Sequence, residues 1–233
     1  DGTWIGSNVT IMEGARIGKN CRIFPGAVIS AIPQDLKFAG EETAVIIGDN
    51  TTIREYVTIN RGTKDKWKTV IGNNCLIMAY SHIAHDCEVG NYCVFSNNTT
   101  LAGHITVGNH VVLAGMVAIQ QFCKVGDHAF VTGGSMVRKD VPPFVKAARE
   151  PLSYVGVNSV GLKRRGFTLE KINSILDIYR VIFVKGYKLS KAVNIIEAEF
   201  PATDERDEIL SFIRESGRGI MRGYTSRTND DIS

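Results

Sequence analysis

The chain has 233 residues, 44% of them hydrophobic and 22% charged, enough for one sizeable core or a core with a small second domain, and too apolar for a disordered chain. No apolar run approaches the roughly 20 residues that a membrane-spanning helix needs, which argues against an integral membrane protein. A net charge of +3 is too small to suggest a nucleic-acid binder. The N-terminus lacks the basic, apolar and small-residue series of a signal peptide. The chain opens on Asp1 instead of methionine, so Asp1 reads as a trimming point.

From the first residues a period of six governs the sequence. Ile5, Ile11, Ile17, Ile23 and Ile29 are six apart, and Ile47, Ile53 and Ile59 continue the series after a break. After a second break, twelve consecutive hits run from Ile71 to Val137, including Ile83, Phe95, Leu101 and Leu113. A second phase of small or β-branched residues lies four positions after each hit: Ala27, Val57, Cys75, Ser81, Cys87, Cys93, Val111, Cys123 and Ser135 among them. A period of six fits neither a 3.6-residue helix nor an alternating strand. It fits a short strand and a corner, repeated. Three hexads make one triangular coil, supported by the 18-residue register of Ile71-Gly-Asn-Asn, Val89-Gly-Asn-Tyr, Val107-Gly-Asn-His and Val125-Gly-Asp-His. Gly and Asn or Asp recur there as residues a corner tolerates. The prediction is a mainly β fold, a parallel β-helix over residues 1–143. Because Ile5 is already in phase, further N-terminal coils are expected to precede it. Cys21, Cys75, Cys87, Cys93 and Cys123 all follow the small-residue phase, so they read as buried thiols in a reducing compartment and not as a disulfide or metal framework.

Residues 34–43 and 64–69 interrupt the hexads. The second reads as a solvated turn. The first mixes charged and apolar residues, and its composition leaves a turn and a functional loop equally open.

After Val141-Pro142-Pro143 the pattern turns helical, giving a C-terminal α-helical domain over 144–233 that caps the solenoid end. Helices are predicted over roughly 168–185, 190–199 and 204–216, with Thr168, Ser190 and Thr203 or Asp204 as N-caps, and the tail after Gly223 is expected to fray. This half carries 15 basic against 12 acidic residues, so attraction for an acidic partner should come from it.

Five histidines are the candidates for chemistry. His110 and His128 share a corner position and read as surface decoration. The register places His85, Gly103 and Gln121 on one ladder, with Asp86 and His104 on the next. One strip thus presents what acyl transfer needs: an imidazole base, a carboxylate to orient it and a glycine N–H for an oxyanion. No Ser or Cys stands beside His85 as a nucleophile, which favours direct transfer. A bland histidine strip fits the same residues.

The hexads resemble those of the hexapeptide-repeat acyltransferases, whose solenoid is left-handed. More specifically, Ile83-Ala-His-Asp-Cys87, Leu101-Ala-Gly-His104, Gln121-Phe-Cys123, Gln34-Asp-Leu-Lys-Phe-Ala-Gly40, Asn60-Arg-Gly-Thr63, Asp140-Val-Pro-Pro143 and Gly161-Leu-Lys-Arg-Arg-Gly-Phe167 resemble the UDP-N-acetylglucosamine O-acyltransferase family. The resemblance implies a cytoplasmic homotrimer with each active site between neighbouring subunits. It would move a (3R)-3-hydroxyacyl group from acyl carrier protein to the 3-hydroxyl of UDP-N-acetylglucosamine, the first step of lipid A synthesis. The donor rides on the carrier's phosphopantetheine arm, with no other cofactor and no metal. By the same resemblance His85 is the base, Asp86 its partner and Gly103 the oxyanion donor. His82, His104 and Gln121 lie near the substrate, and Asp35 and Lys37 contact the sugar. Asn158, Arg164 and Arg165 contact the nucleotide or the carrier, and Gly133 limits acyl length. Gln120 and Val160 depart from the family pattern, which has His and an acidic residue there. The rivals are the related N-acyltransferase of the same pathway, a zinc hydratase on this fold with His82, His85 and His104 as ligands, and a non-catalytic scaffold.

Overall fold

The computed structural model describes residues 1–223, and the tail expected to fray lies outside them. Short strands wind into a solenoid of three parallel sheets, with ten, seven and six strands among the described residues. The pairing follows the sequence period. Leu76 pairs with Val94, Val94 with Val112 and Val112 with Phe130 on one face. On the second face His82 pairs with Thr58 and Thr100, and on the third Glu88 pairs with Val70 and Thr106. Ile29 pairs with Ile59, and Ile59 with Ile83, so the interruptions lengthen single coils and the isoleucine ladder is kept, with one register shift between Ile29 and Ala31.

Both sequence phases point inward. Ile23, Ile53, Ile77, Phe95 and Leu101 are fully buried, as are Cys21, Ala27, Val57, Cys93 and Val111. Each buried isoleucine contributes about 1.5–3 kcal/mol by leaving water. The five cysteines are buried and free.

The corner glycines have a different reason from the one expected. Gly72, Gly90, Gly108 and Gly126 do not take positive φ. A Cβ on Gly90 would lie 2.7 Å from the backbone of Gly108, and one on Gly126 2.5 Å from Pro143 N. The coils are stacked too closely for a side chain there. The next position makes a hydrogen-bonded ladder: Asn73 N donates to Asn91 Oδ1 (2.8 Å), Asn91 N to Asn109 Oδ1 (2.9 Å) and Asn109 N to Asp127 Oδ1 (3.0 Å). Left-handed backbone falls on the residue after it, at Asn74, Tyr92, His110 and His128, with φ between 56° and 59°.

This corrects the reading of His110 and His128 as surface decoration. They belong to a column of rings, Tyr92–His110–His128–Phe144, with successive centroids 4.8, 4.7 and 5.6 Å apart. Ring stacking offsets the cost of left-handed backbone at bulky residues. Burial, then the neighbouring His110 and Arg165 charges, push His128 down to about 4.

The sheet runs on past residue 143. Val141 bridges Val125, and the strand Val145–Ala148 pairs with Phe130 and Val131 before turning back antiparallel as Ser153–Val157. Among the described residues four helices follow: α1 (Ser159–Arg164), α2 (Leu169–Phe183), α3 (Leu189–Glu199) and α4 (Asp204–Arg214). Thr168 and Thr203 cap α2 and α4 as expected, whereas Ser190 lies inside α3, whose N-cap Lys188 makes no side-chain cap. The buried stripe of α2 includes Ile172, Ile175, Ile178 and Tyr179, and the Tyr179 hydroxyl donates to Pro143 O at 2.6 Å. No helix of the described residues is long and apolar enough to cross a membrane.

Candidate active site

The strand His82–Ile83 ends in a corner that turns at Asp86 with φ 58°. The turn aims the Asp86 carboxylate back under the coil, where it is fully buried. His85 Nδ1 lies 2.8 Å from Asp86 Oδ2. Three further donors hold the carboxylate: Thr63 Oγ1 at 2.6 Å, Thr63 N at 2.9 Å and Lys66 N at 3.2 Å. Burial alone would raise the Asp86 pKa. The hydrogen bonds from Thr63, His85 and Lys66 outweigh it and hold the carboxyl below its ordinary value. A carboxylate accepts only, so it fixes the proton of His85 on Nδ1 and leaves Nε2 as the acceptor of the neutral ring.

His85 itself is buried, at 4% exposed. Residues 64–69, read from sequence as a solvated turn, instead join Thr63 against this corner through the Lys66 N–H. The signal was available: this segment is one of two that break the repeat, and a buried carboxylate such as that of Asp86 needs donors from somewhere. Thr63 and Lys66 are the site residues that sequence reasoning missed.

The next coil supplies the other half of the site. Gly103 takes φ 102°, and a Cβ there would stand 3.0 Å from His85 Nε2. Any side chain would crowd the imidazole. His104 N donates to His85 O at 3.0 Å, and the two imidazoles meet edge to face at 4.8 Å. The His104 ring lies flat on Phe122, 4.6 Å away. His82 occupies the strand before the corner, its Nδ1 2.7 Å from Thr58 Oγ1, and burial followed by the His85 charge pushes its pKa down.

Asp35 and Lys37 come to the same place. Together with Glu41, Thr63, Asp65, His104 and Phe122 they line a cavity of about 510 Å³, so both interruptions of the repeat form its walls. Asp35 Oδ1 accepts from Lys37 N at 3.0 Å, closing the turn that presents both side chains. Gln121 is exposed beside this cavity's Phe122 without lining it.

Asn158, Arg164 and Arg165 gather elsewhere, around a cavity of about 480 Å³ with Lys146, Val112 and Phe130, and it shares no lining residue with the first. Asn158 is engaged within the chain: Oδ1 accepts from Gly161 N (3.2 Å) to cap α1, and Nδ2 donates to His128 O (2.9 Å). Arg165 Nη2 donates to His110 O at 3.1 Å, while Arg164 is exposed. Gly133 lies under Gly115, with a Cβ position 3.0 Å from Gly115 O. Gly134, next to it, takes φ 71° and turns the chain.

The corner offers no competing nucleophile. Cys87 is buried and its thiol pushed up to about 11 by that burial, and Ser81 Oγ donates to Ser96 O inside the coil. The residues that the zinc reading would use are also rearranged. His85, Asp86 and His104 bring possible ligand atoms within 4.8 Å of one another, but His82 Nδ1 is engaged with Thr58.

A hexad solenoid that carries a carboxylate-held histidine against an open glycine turn defines an acyltransferase of the hexapeptide-repeat class. Comparison with known proteins agrees. Residues 1–31 and 68–103 match the bacterial transferase hexapeptide repeats, and residues 140–221 match domain 2 of the UDP-N-acetylglucosamine O-acyltransferases. The acyl-[acyl-carrier-protein]–UDP-N-acetylglucosamine O-acyltransferase of Chlorobaculum parvum is 59% identical over 216 residues, covering 91% of this chain and 82% of that protein. The protein of the same name from Aquifex aeolicus is 57% identical over 203 residues, covering 87% and 78%. The crystal structure of a UDP-N-acetylglucosamine acyltransferase from Bacteroides fragilis superposes with a TM-score of 0.91 at 46% identity, over 95% of this chain and 91% of that one. The chain belongs to the UDP-N-acetylglucosamine O-acyltransferase family, which decides against the N-acyltransferase and scaffold rivals.

Proposed function

We propose that His85 is the general base of transfer of a (3R)-3-hydroxyacyl group from acyl carrier protein to the 3-hydroxyl of UDP-N-acetylglucosamine, the step that opens lipid A synthesis. One observation carries the assignment: His85 Nδ1 is held at 2.8 Å by a buried carboxylate, which leaves Nε2 facing the turn at Gly103. The sugar hydroxyl gives its proton to Nε2 as its oxygen attacks the thioester carbonyl. Asp86 stabilises the imidazolium that forms. The Gly103 N–H receives the oxyanion. Collapse of the intermediate breaks the C–S bond, and the leaving thiolate of the phosphopantetheine arm takes the proton back from Nε2. A direct transfer of this kind uses no acyl-enzyme, no further cofactor and no metal.

Asp35 and Lys37 are assigned to the sugar, with His82, His104 and Gln121 at its edges. Arg164, with Arg165 and Asn158 behind it, is assigned to the nucleotide or the acidic carrier. The family resemblance supports a left-handed coil, a cytoplasmic location and a homotrimer with active sites between subunits. His85→Ala should lower kcat by about 10² to 10⁴ with the fold retained, because Thr63 and Lys66 still hold Asp86. Turnover at the wild-type rate in that variant would remove His85 from the role.

A further inference from the structure

We propose that Asp65 is a positioning residue for His104, forming a second carboxylate–imidazole pair that fixes how the cavity meets the sugar. The inference rests on the reading of this cavity as the sugar site.

Asp65 lies in a segment that sequence reading treats as a solvated turn. Its Oδ2 lies 3.0 Å from His104 Nδ1, and Asp86 Oδ2 lies 3.9 Å from the same nitrogen. The Asp65 contact has ion-pair distance without hydrogen-bond alignment. Catalytic contacts of this kind tighten when a ligand closes on them. Both groups facing Nδ1 are carboxylates, which only accept, so this nitrogen carries the proton whether the ring is neutral or charged. Nε2 is then the nitrogen left for a ligand, and in the neutral ring it is an acceptor for a hydroxyl.

The geometry is fixed by the same group that fixes the catalytic pair. The Thr63 hydroxyl donates to Asp86 Oδ2 and accepts from Asp65 N at 3.2 Å. Lys66, next along, donates its N–H to Asp86 and pairs with Glu88 at 3.1 Å. Asp65 is therefore held from both sides against an imidazole already clamped between His85 and Phe122. His85 with Asp86 and His104 with Asp65 form two imidazoles on adjacent coils, each with Nδ1 toward a carboxylate. The first pair is buried and suited to proton transfer. The second has a carboxylate 61% exposed at the cavity wall, and is suited to holding a polyhydroxylated ligand in register.

The test compares Asp65→Asn with the wild-type enzyme in steady-state kinetics, and reads the His104 tautomer from imidazole ¹⁵N shifts, assigned by their loss in His104→Gln. The neutral amide keeps the shape and can donate to Nδ1, which releases the tautomer. KM for UDP-N-acetylglucosamine should rise about three- to tenfold, the range for an exposed charge-assisted contact, with kcat within about twofold. The His104 signal should shift toward the Nε2–H form while the melting temperature stays put. An unchanged KM, a loss confined to kcat or an unchanged tautomer each overturns the proposal. Failure of the underlying reading is separate: it shows as turnover surviving in His85→Ala, and the tautomer measurement does not depend on it.

Discussion

The Thr63 hydroxyl donates to Asp86 at 2.6 Å from a segment outside the hexad repeat, and the carboxylate it meets is the one that holds His85. The histidine–carboxylate pair is thus built by a strand corner but stabilised by an insertion. A buried carboxylate with one fewer donor loses both stability and orientation, since a hydrogen bond to a charged group contributes about 1.5–3 kcal/mol.

Thr63→Val removes that donor at nearly constant volume and leaves the Thr63 backbone N–H in place. We expect kcat to fall roughly tenfold to a hundredfold and the melting temperature to drop by several degrees. Thr63→Ser should keep both close to wild type. Parallel kinetics and thermal melts of the two variants check this.

The ring column gives the protein an acid-sensitive element. His128 is pushed down to about 4, from an ordinary value of 6.5, by burial first and then by the neighbouring His110 and Arg165 charges. Its folded-state pKa is depressed, so the unfolded chain binds more protons between these values. Its contribution is present in full above about 6.5 and is lost as pH falls towards 4. His128→Phe, which preserves a ring between His110 and Phe144, should flatten the pH dependence of unfolding over that window. A denaturation series from pH 7.5 to 4.5 with wild-type slope in the variant would contradict the account.

Arg164 and Arg165 differ in a way that matters for mutagenesis. Arg165 is engaged with the His110 carbonyl and partly buried, whereas Arg164 is exposed at the cavity rim. Charge reversal at Arg164 should therefore weaken carrier or nucleotide binding without unfolding the chain, with the largest effect at low salt. KM values for both substrates, measured at low and high ionic strength, decide it; equality with wild type at low salt counts against the assignment.

Gly133 carries the expectation for acyl length. On that expectation a missing side chain would leave room at the end of an acyl groove, with each excluded methylene worth about 0.8 kcal/mol, or roughly fourfold in preference. Gly133→Met should move the preference from long to shorter hydroxyacyl donors. Because a Cβ would already crowd Gly115 O, Gly133→Ala separates the effect of backbone adjustment from that of chain length. If the methionine variant ranks a donor series as the wild type does, the groove does not end at this glycine.

Much of the solenoid could be read from the amino acids because its core is one-dimensional. In the uninterrupted coils Ile77, Phe95 and Leu113 on one face, and Ile83, Leu101 and Ile119 on another, each meet the residue one coil away, so a fixed spacing in sequence is a fixed contact in space. The same arithmetic put His85 above Gly103 and Asp86 above His104, and the structure has them there. What falls outside the repeat follows no such rule. The position of residues 62–67 depends on where Asp86 needs donors, and that of Asp35 and Lys37 on how a long insertion folds back toward His104. The corner glycines illustrate the same limit: sequence spacing marked them, but only the stacking of backbones 2.7 Å from a would-be Cβ explains them. The sequence by itself determined the coil, its register and the identity of the histidine–carboxylate pair. Tertiary structure decided that His85 is buried, that His128 lies within a ring column, and that two insertions close the cavity, because burial and loop docking are set by contacts between segments with no common period.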